Sequence, residues 1–277
     1  MRRSKFFVAL AALTLFALAP PRTHAQQEEE EQPLQEVFQA ETVYPQDKGE
    51  TQLTFTTRFR KDDDGARLTE PTFGAEYGLT DAWQVSVEVN ALARRDPLSG
   101  ATAFGVSDVR VGTKYSFMHM RGSNFHSAVG FEVGFPTGDV NRKLSEGFIE
   151  YEPFAILAKD FPHLNRLQVF TQVGFEFVQR VKTPDDPDEV EPAAHEFFWH
   201  SGFFFAVRRL RFTSEFSWET NTWNHGGDES HKHFTPGVVW KLPGTWEVGV
   251  GAPVQLEEGP GRFGAILKAV YEFGGGG

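Results

Sequence analysis

The chain contains no cysteine in 277 residues. That absence excludes a disulfide scaffold, a thiolate zinc site and a cysteine nucleophile. Long apolar runs are also scarce. A protein with several membrane helices needs repeated stretches of about 20 apolar residues, and only the amino terminus approaches one. Basic residues are the minority, 27 against 38 acidic, for a formal charge of -11. Such a balance argues against nucleic acid as a partner, because binders of it usually carry a basic patch. What is present is 28 Phe, 27 Gly, 6 Trp and 5 Tyr under a mean hydropathy of only -0.38. A disordered chain would be poor in aromatics. An aromatic- and Gly-rich chain with a polar average points instead to alternating strands.

Residues 1–25 read as a secretory signal peptide. Arg2, Arg3 and Lys5 form its basic start, Phe6 to Ala19 its apolar run, and Thr23 and Ala25 the small positions of a cleavage site. The run is short for an anchor helix. Its removal takes away Arg2, Arg3, Lys5 and Arg22 and no acid, deepening the charge from -11 to -15. Residues 26–49, with Glu28 to Glu31 in a row, read as an acidic, flexible periplasmic lead-in.

From Thr51 to Phe273 the pattern has period two. Trp83, Val85, Val87 and Val89 oppose Gln84, Ser86, Glu88 and Asn90; Val169, Val173, Phe175 and Phe177 oppose Gln168, Gln172 and Glu176. Twelve such runs are predicted, at 50–60, 67–79, 82–92, 105–118, 125–136, 148–160, 167–180, 195–208, 210–221, 232–241, 246–255 and 263–273. Short connectors alternate with longer polar ones, and aromatic residues collect near strand ends. Both are marks of an all-β, antiparallel, up-and-down transmembrane β-barrel over residues 50–273, followed by a Gly tail at 274–277. Backbone groups in a bilayer must be satisfied internally, which leaves only helices or a closed barrel. A secreted β-sandwich also alternates, but alternating loop lengths are not its habit.

Several segments carry a resemblance. Lys48 to Leu53, Glu76 to Trp83, Gly105 to Tyr115, Gly134 to Asp139 and Tyr151 to Phe154 stand in the order found in a bacterial outer-membrane family named for a MetA pathway of phenol degradation. The chain resembles that family best over residues 45–165 and mainly in texture beyond. The resemblance implies an outer-membrane barrel passing small solutes, aromatic or hydrophobic ones among them, with no catalytic residue to carry over. Barrels of this kind end on an aromatic signal for the insertion machinery, and Tyr271 and Phe273 fit it.

With the aromatic face toward lipid, the opposite parity faces the lumen. Its candidates are Arg58, Glu76, Glu88, Asp108, Arg110, Lys114, Glu132, Glu176, Arg211, Glu215, Glu219, Lys268 and Glu272. Many glycines share that parity, where they allow tight coiling and close approach. Twelve strands make a narrow or plugged interior, since wide aqueous pores have about 16–18. The expected function is a narrow passive channel in the cell outer membrane, with lipid and small solutes as partners and no cofactor. The alternatives are a closed scaffold with functional loops and an outer-membrane lipid hydrolase. His200-Ser201 cannot serve the latter, because adjacent strand residues point to opposite faces. His225, His231 and His233 form the best metal candidate, a loop where imidazole and carboxylate groups gather. Acidic loops at Asp62 to Asp64 and Asp185 to Glu191 are candidates for calcium, without fixed ligand spacing.

Overall fold

The computed structural model describes residues 34, 36–61, 65–186, 193–222, 230–257 and 263–275. Its strands in chain order are β1 (Glu50–Lys61), β2 (Arg67–Thr80), β3 (Trp83–Arg95), β4 (Thr102–Phe117), β5 (Phe125–Phe135) and β6 (Phe148–Phe161). There follow β7 (Leu167–Arg180), β8 (Glu196–Val207), β9 (Leu210–Thr220), β10 (Ser230–Lys241), β11 (Trp246–Gly251), β12 (Val254–Gln255) and β13 (Ala265–Gly274). Each strand pairs antiparallel with its sequence neighbour from β1 to β10. β11 pairs with both β10 and β13, and β13 pairs with β1 from Glu50↔Gly274 to Phe59↔Ala265. β12 continues the stave begun by β11 and also pairs with β10. The sheet therefore closes into a twelve-stave barrel with no free edge.

The sequence pattern explains the wall. Phe55, Phe131, Val173 and Leu267 alternate outward and are exposed, whereas Gln52, Gln84, Gln168, Gln172 and Glu215 alternate inward and are buried. An apolar exterior around a polar interior inverts the soluble arrangement and suits a wall immersed in lipid. At the end carrying the short turns, Trp83, Tyr115, Phe117, Trp240 and Phe273 stand exposed. Trp246 and Tyr271 pack with ring centroids 4.7 Å apart, and Tyr271 and Phe273 stack at 5.7 Å. This is an interfacial belt, where amphipathic rings meet headgroups.

Strand boundaries depart from expectation in two places. β4 starts at Thr102 rather than 105 and pairs with the extended end of β3. The run expected at 246–255 is broken at Ala252-Pro253, because Pro253 has no N–H to donate to the ladder. Phe263 makes only an isolated bridge, to Val254, before β13 begins.

The largest correction concerns residues 26–49. Its described part is not a solvated lead-in: Leu34, Val37, Phe38, Val43, Tyr44 and Gln46 are buried inside the barrel. These side chains join Ala128, Phe154, Ile156, Phe170, Phe198, Phe204, Val239 and Ile266 in one apolar cluster. Carrying that much apolar surface, the segment is driven out of water despite the acidic run preceding it. It leaves the lumen through a turn at Gly49, where φ is +79°, and the Gly49 N–H bonds the Gly78 carbonyl at 2.8 Å. A Cβ at Gly78 would collide with the carbonyls of Gln46 and Asp47, so that glycine makes room for the passage.

Candidate functional site

The interior is organised around the segment 36–47, which runs along the wall in the half of the barrel nearer the short turns. Starting from β1, the Gln46 N–H donates to Gln84 of β3 at 2.9 Å, and its side chain donates to Gln52 (2.9 Å) and Glu76 (3.1 Å). Next, the Tyr44 hydroxyl donates to Asp160 of β6 at 2.8 Å. Gln168 of β7 donates to the same tyrosine oxygen (2.8 Å) and to Asp160 (2.6 Å), and His126 of β5 lies 3.0 Å from Asp160. The His126 Nδ1 accepts the His119 N–H at 3.0 Å, so the ring proton sits on Nε2 and faces the carboxylate.

Farther along, the polar ties pass to β4 and then across to β9. Ser116 and Lys114 of β4 donate to the carbonyls of Val43 (2.7 Å) and Thr42 (2.8 Å). Lys114 also pairs with Glu41 at 2.9 Å, and the Glu41 N–H donates to Gln172. Glu215 of β9 is the central clasp: its carboxylate accepts the N–H groups of Phe38 (2.9 Å), Gln39 (2.8 Å) and Ala40 (3.1 Å). Hydrogen bonds to an ionised acceptor are roughly twice as strong as neutral ones. The circuit then returns to its starting wall. Arg58 of β1 donates to the Phe38 carbonyl (3.3 Å), and Lys268 of β13 holds Glu36 at 2.7 Å and the Val37 carbonyl. Gln52 and Thr54 complete the grip on Glu36, each at 2.6 Å. The segment is thus a plug bound on nearly every side.

Above the plug, toward the long loops, the lumen is acidic. Arg110 binds Glu150 (2.5 Å), Glu152 (3.3 Å) and Glu176 (3.6 Å) while keeping about 30% of its side chain exposed to the lumen. Glu88 and Glu132 line a small cavity with Glu36, Glu41 and Glu76 of the lower layer. Lys114 and Lys268 serve the plug, which leaves few cations to balance these carboxylates.

The remaining predicted lumen residues are scattered rather than gathered. Asp108 accepts the Gly138 N–H at 3.3 Å and anchors a long loop. Arg211 is buried near a short turn and donates to the Arg208 carbonyl at 2.9 Å. Glu219 stands opposite His231 in register, and Glu272 opposite Gln52. His225 lies outside the described residues, as do Asp62 to Asp64, Asp188, Glu189 and Glu191. Among the described residues no three His, Asp or Glu side chains converge to hold a metal, His231 and His233 included. Inspection of parity alone would have found Glu150 and Glu152, which alternate with Ile149 and Tyr151 on β6. The plug had a weaker signal in Val37, Phe38, Val43 and Tyr44, apolar residues directly after an acidic tract.

Comparison with known proteins follows the same lines. The profile of the family described as "Putative MetA-pathway of phenol degradation" matches residues 38–273, plug included. Among solved structures, the COG4313 outer membrane channel from Pseudomonas putida F1 superposes with a TM-score of 0.63 at 12% identity, covering 86% of this chain and all of that one. The NanC porin gives 0.56 at 10% identity over 79% of this chain and 98% of its own. KdgM porin, solved in complex with disordered oligogalacturonate, gives 0.55 at 10% identity over 80% and 99%. Identities this low speak to the fold. No curated protein matches the chain by sequence.

Proposed function

The chain belongs to the family of that description, and from this premise we propose that it is an outer-membrane channel for small solutes, shut at rest by its own N-terminal segment. The observation that carries this reading is how the lumen is filled. An inert scaffold fills its interior with side chains of the wall. Here the inner wall carries Gly237, Gly249 and Gly251 where the plug passes, and a separate stretch of chain supplies the filling. Its polar ties are hydrogen bonds that water can replace, and withdrawal exposes a path lined by the wall's polar groups and by the apolar residues the plug had covered. The fold shared with porins and a channel supports the same function and location. No enzymatic role is part of the proposal, and His200 and Ser201 face opposite sides of β8.

The lumen charge adds a preference. Glu88, Glu132, Glu150, Glu152 and Glu176 outnumber Arg110 around the upper path, so small cations and neutral solutes pass in preference to acidic ones such as oligogalacturonate. Planar-bilayer recording is the test. The full-length protein is expected to open rarely, and a chain lacking residues 34–46 to conduct steadily with a cation-selective reversal potential in a salt gradient. A deletion variant that retains boiling-sensitive gel mobility, hence a folded barrel, yet passes no current would refute the channel.

A further inference from the structure

The rim that carries the short turns is unevenly charged. Its turns at 118–124, 162–166 and 208–209 hold Arg121, Arg166, Arg208 and Arg209 and no acid, although the chain as a whole is acidic. The turn after β2 carries Asp81 instead, and the one at 242–245 has no charge. The three basic turns form one arc. The Asn124 carbonyl accepts the Asp160 N–H at 2.9 Å and the Asn165 carbonyl accepts the Ala206 N–H at 2.8 Å, so each turn is stitched to the end of the strand that leads into the next.

The backbone in this arc is strained in a consistent way. Arg121, Arg166 and Arg208 each occupy the left-handed region, with φ of +54°, +51° and +57°. Glycine and asparagine take that conformation more readily, and an arginine there in three neighbouring turns needs a reason outside the turn itself. All three residues are exposed, and among the described residues none of them makes an ion pair. Lys159 adds a cation from the wall. It stands on the outward parity of β6, in register with the exposed Phe125 and Val169, its ammonium 5.2 Å from the Phe161 ring centroid. A lysine on the lipid face near a rim reaches the headgroups by snorkelling. Apolar groups are interleaved with these charges, for Met120 and Leu164 are exposed in the same turns as Arg121 and Arg166.

Short turns of an outer-membrane barrel face the periplasm. We propose that this arc is a binding site for anionic phospholipid of the periplasmic leaflet. The lipid phosphate lies between arginines of adjacent turns, and its acyl chains lie against the wall beside Lys159 and Phe125. A free phosphate has no use for the apolar groups, and a neutral lipid none for the unpaired cations. The site stands whether or not the barrel conducts.

Native mass spectrometry of the full-length, detergent-solubilised protein titrated with phosphatidylglycerol tests it, with phosphatidylcholine of the same chains as the neutral probe. The unaltered protein is expected to retain phosphatidylglycerol in preference, and less of it as salt rises. Each juxtamembrane cation is worth about fivefold in affinity. Arg121→Asn/Arg166→Asn/Arg208→Asn should therefore bind phosphatidylglycerol about a hundredfold more weakly and phosphatidylcholine unchanged. Asparagine is at ease at positive φ, so this variant should keep its boiling-sensitive gel mobility. Lys61→Gln/Arg67→Gln/Arg95→Gln removes the same charge from exposed positions at the opposite end of the barrel and should retain the preference. Equal phosphatidylglycerol binding by the unaltered protein and the asparagine variant would overturn the site. So would an equal loss in the charge-matched variant, which would reduce the effect to net charge, or competition by inorganic phosphate at the concentration of the lipid.

Discussion

Replacing Glu215 by alanine is expected to free the plug at its middle. One carboxylate, almost fully buried, receives three consecutive backbone N–H groups, those of Phe38, Gln39 and Ala40. Each bond to a charged group is worth about 1.5–3 kcal/mol net, and stranding the donors adds to the loss. The three act as a unit and do not sum, so we take about 3 kcal/mol for the whole clasp, a factor of roughly 100 in the open fraction. The lack of native cysteine makes the readout direct. A single cysteine introduced as Gln39→Cys is the only thiol present, and its reaction with a polar maleimide reports plug departure. Labelling should accelerate by about a hundredfold in Glu215→Ala, and by less in Glu215→Gln, whose amide oxygen still accepts. Equal labelling rates with and without Glu215 would mean that the clasp does not hold the plug.

The second large effect is expected at Arg110. Its guanidinium is the cation shared by Glu150, Glu152 and Glu176. Removing one partner of a buried ion pair costs about 3–5 kcal/mol because the other charges are left uncompensated. The side chain is about 30% exposed to the lumen, and solvent screening reduces the figure to about 2 kcal/mol. Arg110→Ala should therefore lower the temperature at which the barrel loses its compact gel mobility. The same change strips the upper lumen of a positive charge and should increase cation over anion permeability in the plug-deleted chain. If selectivity does not move, the Arg110 cluster is not on the conduction path.

Much of this molecule could be read without coordinates, and the reason is environmental. A wall between lipid and a polar lumen forces strict alternation, so Val85-Ser86-Val87-Glu88 declares both its strand and its faces. Boundaries were less legible. Thr102 and Ala103 put the hydroxyl on the exposed parity and the methyl on the other, against the pattern of the wall, so nothing in them announces that β4 already pairs with β3. Pro253 did announce a break, and the alternation around it concealed the message. The plug lay beyond such reading altogether. Phe38 and its acceptor Glu215 are 177 positions apart, and an irregular segment has no period to betray which wall it will meet. Charge parity could place Glu215 and Lys268 inward but could not say that backbone N–H groups and a carbonyl, rather than solute or each other, would meet them.

The turn at Gly49 has a mechanical consequence. It makes the plug continuous with β1 at the short-turn rim, so the stopper hangs from one lip of the tube. A push arriving from the long-loop side drives it toward its hinge and outward; a push from the hinge side seats it more firmly. On the channel reading proposed above, a tube closed in this way acts as a check valve. Its current–voltage curve should be asymmetric while the tether is intact, and should become symmetric once residues 34–46 are gone.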